Sequence, residues 1–297
     1  MATLKDVQNK IGAVKKTKQI TRAMNMVATS KLRGAQQKME AFRPYAAKFA
    51  EVLGSLSEKS EEGANPLLLA RAEVKRIHVV LCTSDRGLCG GFNANLINTA
   101  EKFVREKSAD GIEFSFTCFG KKGHQWCRKK GFAIAAAHPG VVGSKFGFSV
   151  AIRTGARIVD DFLDKRLDEV YLLYAEFISL SRQVLVAKQL LPIPPIESAE
   201  ASSAEADTPY LPEHLCEPSA TELLEEMLPR SVYVQIFRAL LETSTSEHAA
   251  RMTAMDNATR ACSDMIENLS QLYNKARQAA ITADLMDIVG GAEALKG

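Results

Sequence analysis

The residues best placed to do chemistry lie in one glycine-rich turn, 84–93, with the sequence SDRGLCGGFN. The turn follows an apolar run and precedes a helical pattern, and at such a point the N–H groups of a helix start can bind phosphate. Its spacing matches neither GxGxxG nor GxxxxGK[ST]. The pattern therefore favours a structural turn capped by Asp85 or Asn93. Contact with a partner protein is the next alternative, and nucleotide binding is the last.

Nucleophilic and metal chemistry have little support in the sequence. Cys89 could be activated by the helix start, with His78 as its base, but an inert buried thiol and a structural histidine fit the pattern better. The five histidines form no i,i+4 pair, and the six cysteines show no CxxC spacing. We expect no metal site, no disulfide framework and no cofactor. The isolated chain is not expected to be an enzyme.

The elements that would position this turn lie in residues 74–191, where strand and helix patterns alternate. These runs are, in chain order, 74–82, 93–106, 112–119, 148–163, 170–177 and 184–191. The alternation predicts a βαβ domain with a mostly parallel sheet.

Two terminal segments, 1–56 and 229–297, carry the spacing of long paired helices. In the second, steps of three and four residues run without a break through Met252, Met255, Thr259, Cys262, Ile266, Leu269, Tyr273, Ala276 and Ala280. In the first, a narrow stripe follows Leu4, Val7, Ile11, Val14, Thr17, Ile20, Met24 and Val27. Such heptads predict a coiled-coil seam between the two segments. A helix over 230–290 would extend roughly 90 Å at about 1.5 Å per residue, so we expect part of it to project into an enclosing partner.

Charge is distributed unevenly along the chain, although the net charge is only +3. Residues 1–50 carry eleven Lys or Arg against two acidic residues, which is typical of a segment that binds an acidic partner. Residues 197–226 carry nine acidic residues and no Lys or Arg, which predicts an exposed acidic loop insert. No run of eighteen apolar residues is present, so we expect no helix to span the membrane, and neither a secretory signal nor a transit peptide is expected.

Three sequence blocks make the chain resemble the γ subunits of bacterial F-type ATP synthases over essentially its whole length. The blocks are 20–28 (ITRAMNMVA), 84–90 (SDRGLCG) and a terminal set of 251–259 (RMTAMDNAT), 273–279 (YNKARQA) and 281–282 (IT). The resemblance implies an antiparallel coiled coil of the terminal helices inside a catalytic head of α and β subunits. It also implies a central Rossmann-like α/β domain beside the ε subunit and the ring of c subunits.

The function that this resemblance implies is that of a rotor shaft coupling transmembrane proton flow to ATP synthesis or hydrolysis. The chain would be a peripheral, non-catalytic subunit on the cytoplasmic side of the bacterial inner membrane, without nucleic acid as a partner. The implied contacts with the catalytic head are Met24, Arg277, Gln278, Thr282 and Asp284. The candidate contact turn comprises Asp85, Arg86, Gly87 and Gly90. Asp284 departs from the family's sequence pattern, because the family often has Glu after the Ile-Thr pair.

The residues alone leave two other functions open. One is a basic coiled-coil adaptor or nucleic-acid-binding protein, for which steep salt-dependent affinity for DNA would be expected. The apolar stripe over residues 4–27 disfavours it, because a DNA-binding arm needs clustered Arg and Lys without such a stripe. The other is a nucleotide-dependent α/β enzyme built on the glycine-rich turn.

Overall fold

The computed structural model describes residues 4–59, 65–108, 111–143, 146–194 and 219–294. Within these ranges the elements are, in chain order, α1 (Leu4–Lys59), β1 (Arg76–Cys82), α2 (Phe92–Lys107), β2 (Glu113–Phe119), α3 (Lys121–Lys130), β3 (Ala133–His138), α4 (Phe148–Leu163), β4 (Glu169–Phe177), β5 (Gln183–Leu191) and α5 (Ala220–Ala294). The predicted acidic insert lies outside the described residues up to position 218.

The chain folds as two compact units. One is Ser30–Ala250, which we call the α/β unit, and the other combines Met1–Thr29 with Arg251–Gly297, which we call the helix-pair unit. The helices α1 and α5 contribute residues to both units. The four-part division drawn from the sequence, at 1–56, 74–191, 197–226 and 229–297, stays a prediction.

A five-stranded sheet in the order β3-β2-β1-β4-β5 forms the centre of the α/β unit. Neighbouring strands are parallel except for the antiparallel pair of β4 and β5. The mostly parallel, Rossmann-like sheet predicted from the sequence is therefore confirmed. The carboxyl ends of β1, β2 and β3 meet at one edge, which brings the crossover loops after them together.

Helices cover both faces of this sheet, which explains why β1 is a nearly continuous apolar run. Residues such as Val80 and Leu172 point to a core shared with α4 and parts of α1 and α5. Residues such as Val79 and Leu173 point to the opposite core, which contains Trp126 and lies under α2 and α3.

Two elements of the unit, α3 and β3, are absent from the sequence-based prediction. Eight of the ten residues of α3 are Lys, Arg, His, Gln or Gly, and only Gly123, Trp126 and Cys127 among them are buried. The β3 strand has the sequence AIAAAH, in which β-branched and aromatic residues are almost missing. Another difference is the start of α5, which begins at Ala220 rather than 229 because the helix continues through Pro229.

In the helix-pair unit, α1 and α5 pack in opposite directions. The Oγ1 atoms of Thr21 and Thr259 lie 2.8 Å apart. Nδ2 of Asn25 donates to the carbonyl oxygen of Met252 at 2.9 Å. As the residue number rises on α1 it falls on α5, which confirms the predicted antiparallel coiled coil. All nine predicted seam positions of α5 are buried or half-buried.

On α1 the predicted stripe is buried or half-buried as far as Val14 and again at Met24, but Thr17, Ile20 and Val27 are exposed. Ile20 and Val27 are 60% and 58% exposed, and the buried positions lie one residue later, at Thr21 and Ala28. The predicted stripe took three successive steps of three residues before Ile20, whereas a seam must alternate three and four. The helix thus keeps the heptad register, packs small and polar residues in the seam, and leaves larger apolar residues outside.

Candidate partner-binding surfaces

The glycine-rich turn between β1 and α2 is closed by its own side chains. Asn93 accepts the N–H of Ser84 at 3.0 Å, and its Nδ2 donates to Ser84 Oγ at 2.7 Å and to Cys89 Sγ at 3.1 Å. Ser84 Oγ in turn donates to the carbonyl oxygen of Arg86 at 2.6 Å. This network closes the turn, as expected of a structural turn, but Asn93 is not the helix cap that the sequence suggested: the N-cap of α2 is Gly91, without a side-chain cap bond.

Asp85 ties the turn to both neighbouring crossover loops. One of its carboxylate oxygens accepts the N–H of Lys121, the first residue of α3, at 3.1 Å. The same oxygen accepts the N–H of Gly140, after β3, at 2.8 Å. A carboxylate at a helix N-terminus also interacts favourably with the helix dipole. Asp85 therefore has an internal role in holding this edge of the sheet.

The chain packs closely around the same edge. A Cβ added at Gly120, which has a φ of +91°, would lie 2.2 Å from the carbonyl oxygen of Thr83. Gly123 N–H donates to Thr83 Oγ1 at 2.8 Å. The glycines allow α3 to begin directly against the end of β1.

The tip of the turn, Arg86 to Leu88, projects into solvent. Arg86, Gly87 and Gly90 are exposed. Leu88 is 63% exposed and has a φ of +64°, in the left-handed region that a leucine rarely adopts. An exposed apolar side chain on a strained backbone is a feature of binding loops. The tip and Asp85 therefore differ in role: the tip is exposed to solvent, whereas the Asp85 carboxylate is bonded within the fold.

The structure does not bring Cys89 and His78 together as a nucleophile and its base. His78 lies four residues before the end of β1, about 13 Å along the strand from its carboxyl end. Its two ring nitrogens are 2.7 Å from Ser115 Oγ and 2.9 Å from Thr117 Oγ1. Cys89 is buried in the turn. The arrangement matches a structural histidine and an inert thiol.

Met24 lies on α1 between two exposed apolar residues. It is half-buried beside the seam, and Ile20 and Val27 flank it one turn away on each side. Basic side chains are frequent on the helix before and beside Met24, and among the described residues no ion pair is formed by Lys10, Lys15, Lys16 or Arg22. The helix therefore presents an apolar strip within a positive field.

The predicted contact residues near the end of α5 are all on an exposed stretch. Arg277, Gln278, Thr282 and Asp284 are exposed, and Thr282 Oγ1 donates back to the carbonyl oxygen of Gln278 at 2.9 Å. The large apolar residues that follow are exposed too: Ile281, Leu285, Met286, Ile288 and Val289. An apolar surface of this extent indicates an interaction site.

Residues 242–248 of α5 form a buried polar stretch that the sequence pattern does not indicate. Every residue of this stretch is buried in the α/β unit, and polar composition gives no sign of it. Ser246 Oγ donates to the carbonyl oxygen of Ala175 on β4 at 3.2 Å. Arg238 Nε lies 2.8 Å from a carboxylate oxygen of Glu242, although burial raises the pKa of this carboxyl. The bond from Ser246 thus anchors α5 to the sheet, whereas the pair of Arg238 and Glu242 lies within α5.

No group of three or more His, Cys, Asp or Glu side chains in the described ranges is arranged to hold a metal ion. Across the same ranges, no helix combines the length and the apolar character that crossing a bilayer requires.

Known proteins similar in sequence match the whole chain. The family model described as ATP synthase matches residues 3–295. The ATP synthase gamma chain of Desulfosudis oleivorans is 60% identical over 298 residues, covering 100% of both chains. The ATP synthase gamma chain of Nitratidesulfovibrio vulgaris strain Hildenborough is 55% identical over 297 residues, again covering 100% of both.

Solved structures share the fold at much lower identity. A chain of the Euglena gracilis mitochondrial ATP synthase (OSCP/F1/c-ring, rotational state 3) superposes with a TM-score of 0.67 at 18% identity. The superposition covers 98% of this chain and 94% of that one. With the family model and the relatives matching from end to end, the chain belongs to the ATP synthase gamma chain family.

Proposed function

We propose that this chain is the central rotor shaft of an F-type ATP synthase. The observation that carries the proposal is the antiparallel helix pair with its unpartnered apolar residues, Ile20 and Val27 on α1 and Leu285 and Ile288 on α5. The seam is complete without these residues, so they are available to a surrounding partner. A catalytic head of α and β subunits is that partner.

Coupling follows from the different surfaces that the helix pair presents around its circumference. Each catalytic site meets a different face, and each face has its own contact free energy with the open and closed conformers. Rotation therefore shifts the populations of those conformers in sequence. Proton flow turns the shaft during ATP synthesis, and ATP hydrolysis turns it in reverse. The chain itself catalyses no step.

The partners and location follow from the same assignment. The α/β unit is assigned to the ε subunit and the ring of c subunits, with the tip at Arg86, Gly87 and Gly90 as a contact. The chain is then a peripheral protein on the cytoplasmic side of the bacterial inner membrane. Asp85 belongs to the same contact turn, where it positions the tip.

Individual residues on the helices take distinct roles. Arg277, Gln278, Thr282 and Asp284 supply exposed polar groups that hydrogen-bond a loop of a catalytic subunit. Met24 faces the acidic lever segment of the catalytic subunits, where an uncharged, flexible side chain slides without forming a fixed ion pair.

The substitution Met24→Lys tests this role. The added ammonium group would form an ion pair in some rotary positions, and we expect fewer protons pumped per ATP hydrolysed in membrane vesicles. The matched control is Gln19→Lys, which adds the same charge at an exposed position of α1. Equal pumping per ATP in wild type and Met24→Lys would contradict the assignment, as would an equal loss in the control.

Co-purification tests the assignment as a whole. A tagged full-length chain isolated from its own cells should bring down stoichiometric α and β subunits, with ATPase activity in the complex and none in the chain alone. Recovery of the chain alone, or with nucleic acid, would overturn the proposal.

A further inference from the structure

A cavity of about 320 Å³ lies in the α/β unit between α4 and the sheet, near the edge strand β3. None of its lining residues belongs to the turn or the helix surfaces assigned above. Its size is at the lower end of the range for small-molecule sites. Alanine, valine and isoleucine side chains form part of its walls, and two histidines, two threonines, two arginines and one aspartate line the rest.

Two arginines on α4 give the cavity a positive mouth. Arg153 and Arg157 are four residues apart, so they lie on one face of the helix, and both line the cavity. Arg157 Nε is 3.9 Å from a carboxylate oxygen of Asp161, which Arg166 also contacts at 3.1 Å. Arg153 forms no ion pair with any residue that the structure describes. One guanidinium group at the mouth is therefore available to an anion.

Buried polar groups line the interior on the sheet side. His78 is only 2% exposed, and its ring nitrogens contact the hydroxyl groups of Ser115 and Thr117 on the neighbouring strand. Thr154, also buried, has its Oγ1 3.3 Å from Nε2 of His138. Thr117 adds a second hydroxyl. These groups add hydroxyl and imidazole side chains to the wall of the cavity.

We propose that this cavity binds a small tetrahedral oxyanion of the phosphate or sulfate class, held by Arg153 and Arg157 and by the imidazole of His138. A guanidinium group presents paired N–H donors that match two oxygens of such an anion. This site is independent of the rotor function and adds a ligand that the helix pair does not require.

Binding of an oxyanion should be measurable as proton uptake by a histidine that lines the cavity. Burial, with Arg157, lowers the pKa of His78 to about 4, and burial with Arg153 and Arg157 lowers the pKa of His138. The charged and titratable groups facing the cavity are His78 on β1, His138 on β3, and Arg153, Arg157 and Asp161 on α4. A bound dianion offsets the two arginines, so the pKa of His138 should rise on binding.

The test uses the full-length chain with isotope-labelled histidine, observed by NMR. Sodium phosphate and sodium sulfate are titrated separately at constant ionic strength, with sodium chloride as the salt control. We expect a saturable shift of the His138 signal and a raised His138 pKa with at least one oxyanion. The relative affinities then identify which of the two the cavity prefers.

Substitutions locate the binding. Arg153→Gln should weaken the oxyanion at least about tenfold, because a charge-assisted bond to the ligand is lost. The control is Arg128→Gln, which removes an exposed arginine of α3, on the opposite face of the sheet, that does not line the cavity and should leave affinity unchanged. The proposal is overturned by the absence of a saturable shift, by an equal shift with chloride, or by unchanged affinity in Arg153→Gln.

Discussion

Asp85 and Arg86 are neighbours in the candidate contact turn, yet the structure predicts opposite consequences for their substitution. The Asp85 carboxylate accepts two backbone N–H groups, from Lys121 and Gly140, whereas the Arg86 side chain projects into solvent. Asp85→Ala should therefore destabilise the α/β unit. Arg86→Ala should leave its stability intact and act only on a partner.

The expected loss of unfolding free energy follows from the hydrogen bonds that the Asp85 carboxylate accepts and from its position at a helix start. Hydrogen bonds to a charged group contribute about 1.5–3 kcal/mol each, and a carboxylate at a helix start adds about 0.3–1 kcal/mol. Asp85 is half-exposed, so water replaces part of the loss in the variant. We expect Asp85→Ala to lower the free energy of unfolding by about 2 kcal/mol, and Asp85→Asn, which keeps one acceptor oxygen, by about half as much.

Urea unfolding measures both effects with an internal reporter. The chain has one tryptophan, Trp126, which lies buried on α3, the helix that Asp85 caps. Its fluorescence should give the Asp85→Ala transition at lower urea concentration, and the Gly140 amide should exchange faster. Arg86→Ala should change the free energy of unfolding by less than about 0.5 kcal/mol. A stable Asp85→Ala variant, or a strongly destabilised Arg86→Ala variant, would refute the internal role of Asp85.

Three further substitutions test the packing. Because the pKa of buried His78 is about 4 in the fold and 6.5 in a model compound, the unfolded chain binds an extra proton between these values. The free energy of unfolding should therefore fall, by up to about 3 kcal/mol, as the pH drops through that window, and His78→Gln should remove this slope. Gly155→Ala would place a Cβ 2.3 Å from Cδ1 of Tyr233 and should cost about 1–3 kcal/mol in a thermal melt. Asn25→Ala loses the bond to the carbonyl of Met252 and should destabilise the helix pair by about 1 kcal/mol in urea.

A specific outcome would contradict each of these three predictions. An identical pH slope in wild type and His78→Gln would show that another group controls the acid limb. A Gly155→Ala variant with an unchanged melting temperature would mean that Tyr233 moves aside freely. For Asn25→Ala the matched control is Gln19→Ala, an exposed amide on the same helix; equal effects in the two would remove the case for a specific bond.

The sheet was largely predictable because four of its strands are apolar runs set off by turns. The missed pair, α3 and β3, shows the limit of pattern analysis. The sequence KKGHQWCRKK has too few apolar residues to display a helical period, and AIAAAH lacks the residues that favour strands. The helix α3 forms because it covers an apolar face of the sheet that includes Phe116, and β3 forms because it pairs with the edge of β2.

The position of the candidate contact turn was predictable from the sequence, but its hydrogen bonds to the neighbouring loops were not. The sequence places the glycine-rich turn between β1 and α2, and it offers Asp85 or Asn93 as the cap, whereas the N-cap of α2 is Gly91. The hydrogen bond that the Gly140 N–H donates to Asp85 could not be predicted, since Gly140 follows β3, the strand that the sequence pattern did not indicate. On α1, the predicted stripe wrongly included Ile20 and Val27 because both are apolar. Hydrophobicity alone does not distinguish a coiled-coil seam from a partner-facing surface.

The most direct test of the rotor assignment is single-molecule observation of the chain assembled with α and β subunits. A bead attached through a cysteine introduced at Ile178, which is exposed in the α/β unit, would report its motion. The account predicts stepwise rotation in one direction that depends on ATP hydrolysis. Hydrolysis at the normal rate with a stationary or randomly fluctuating bead would contradict it.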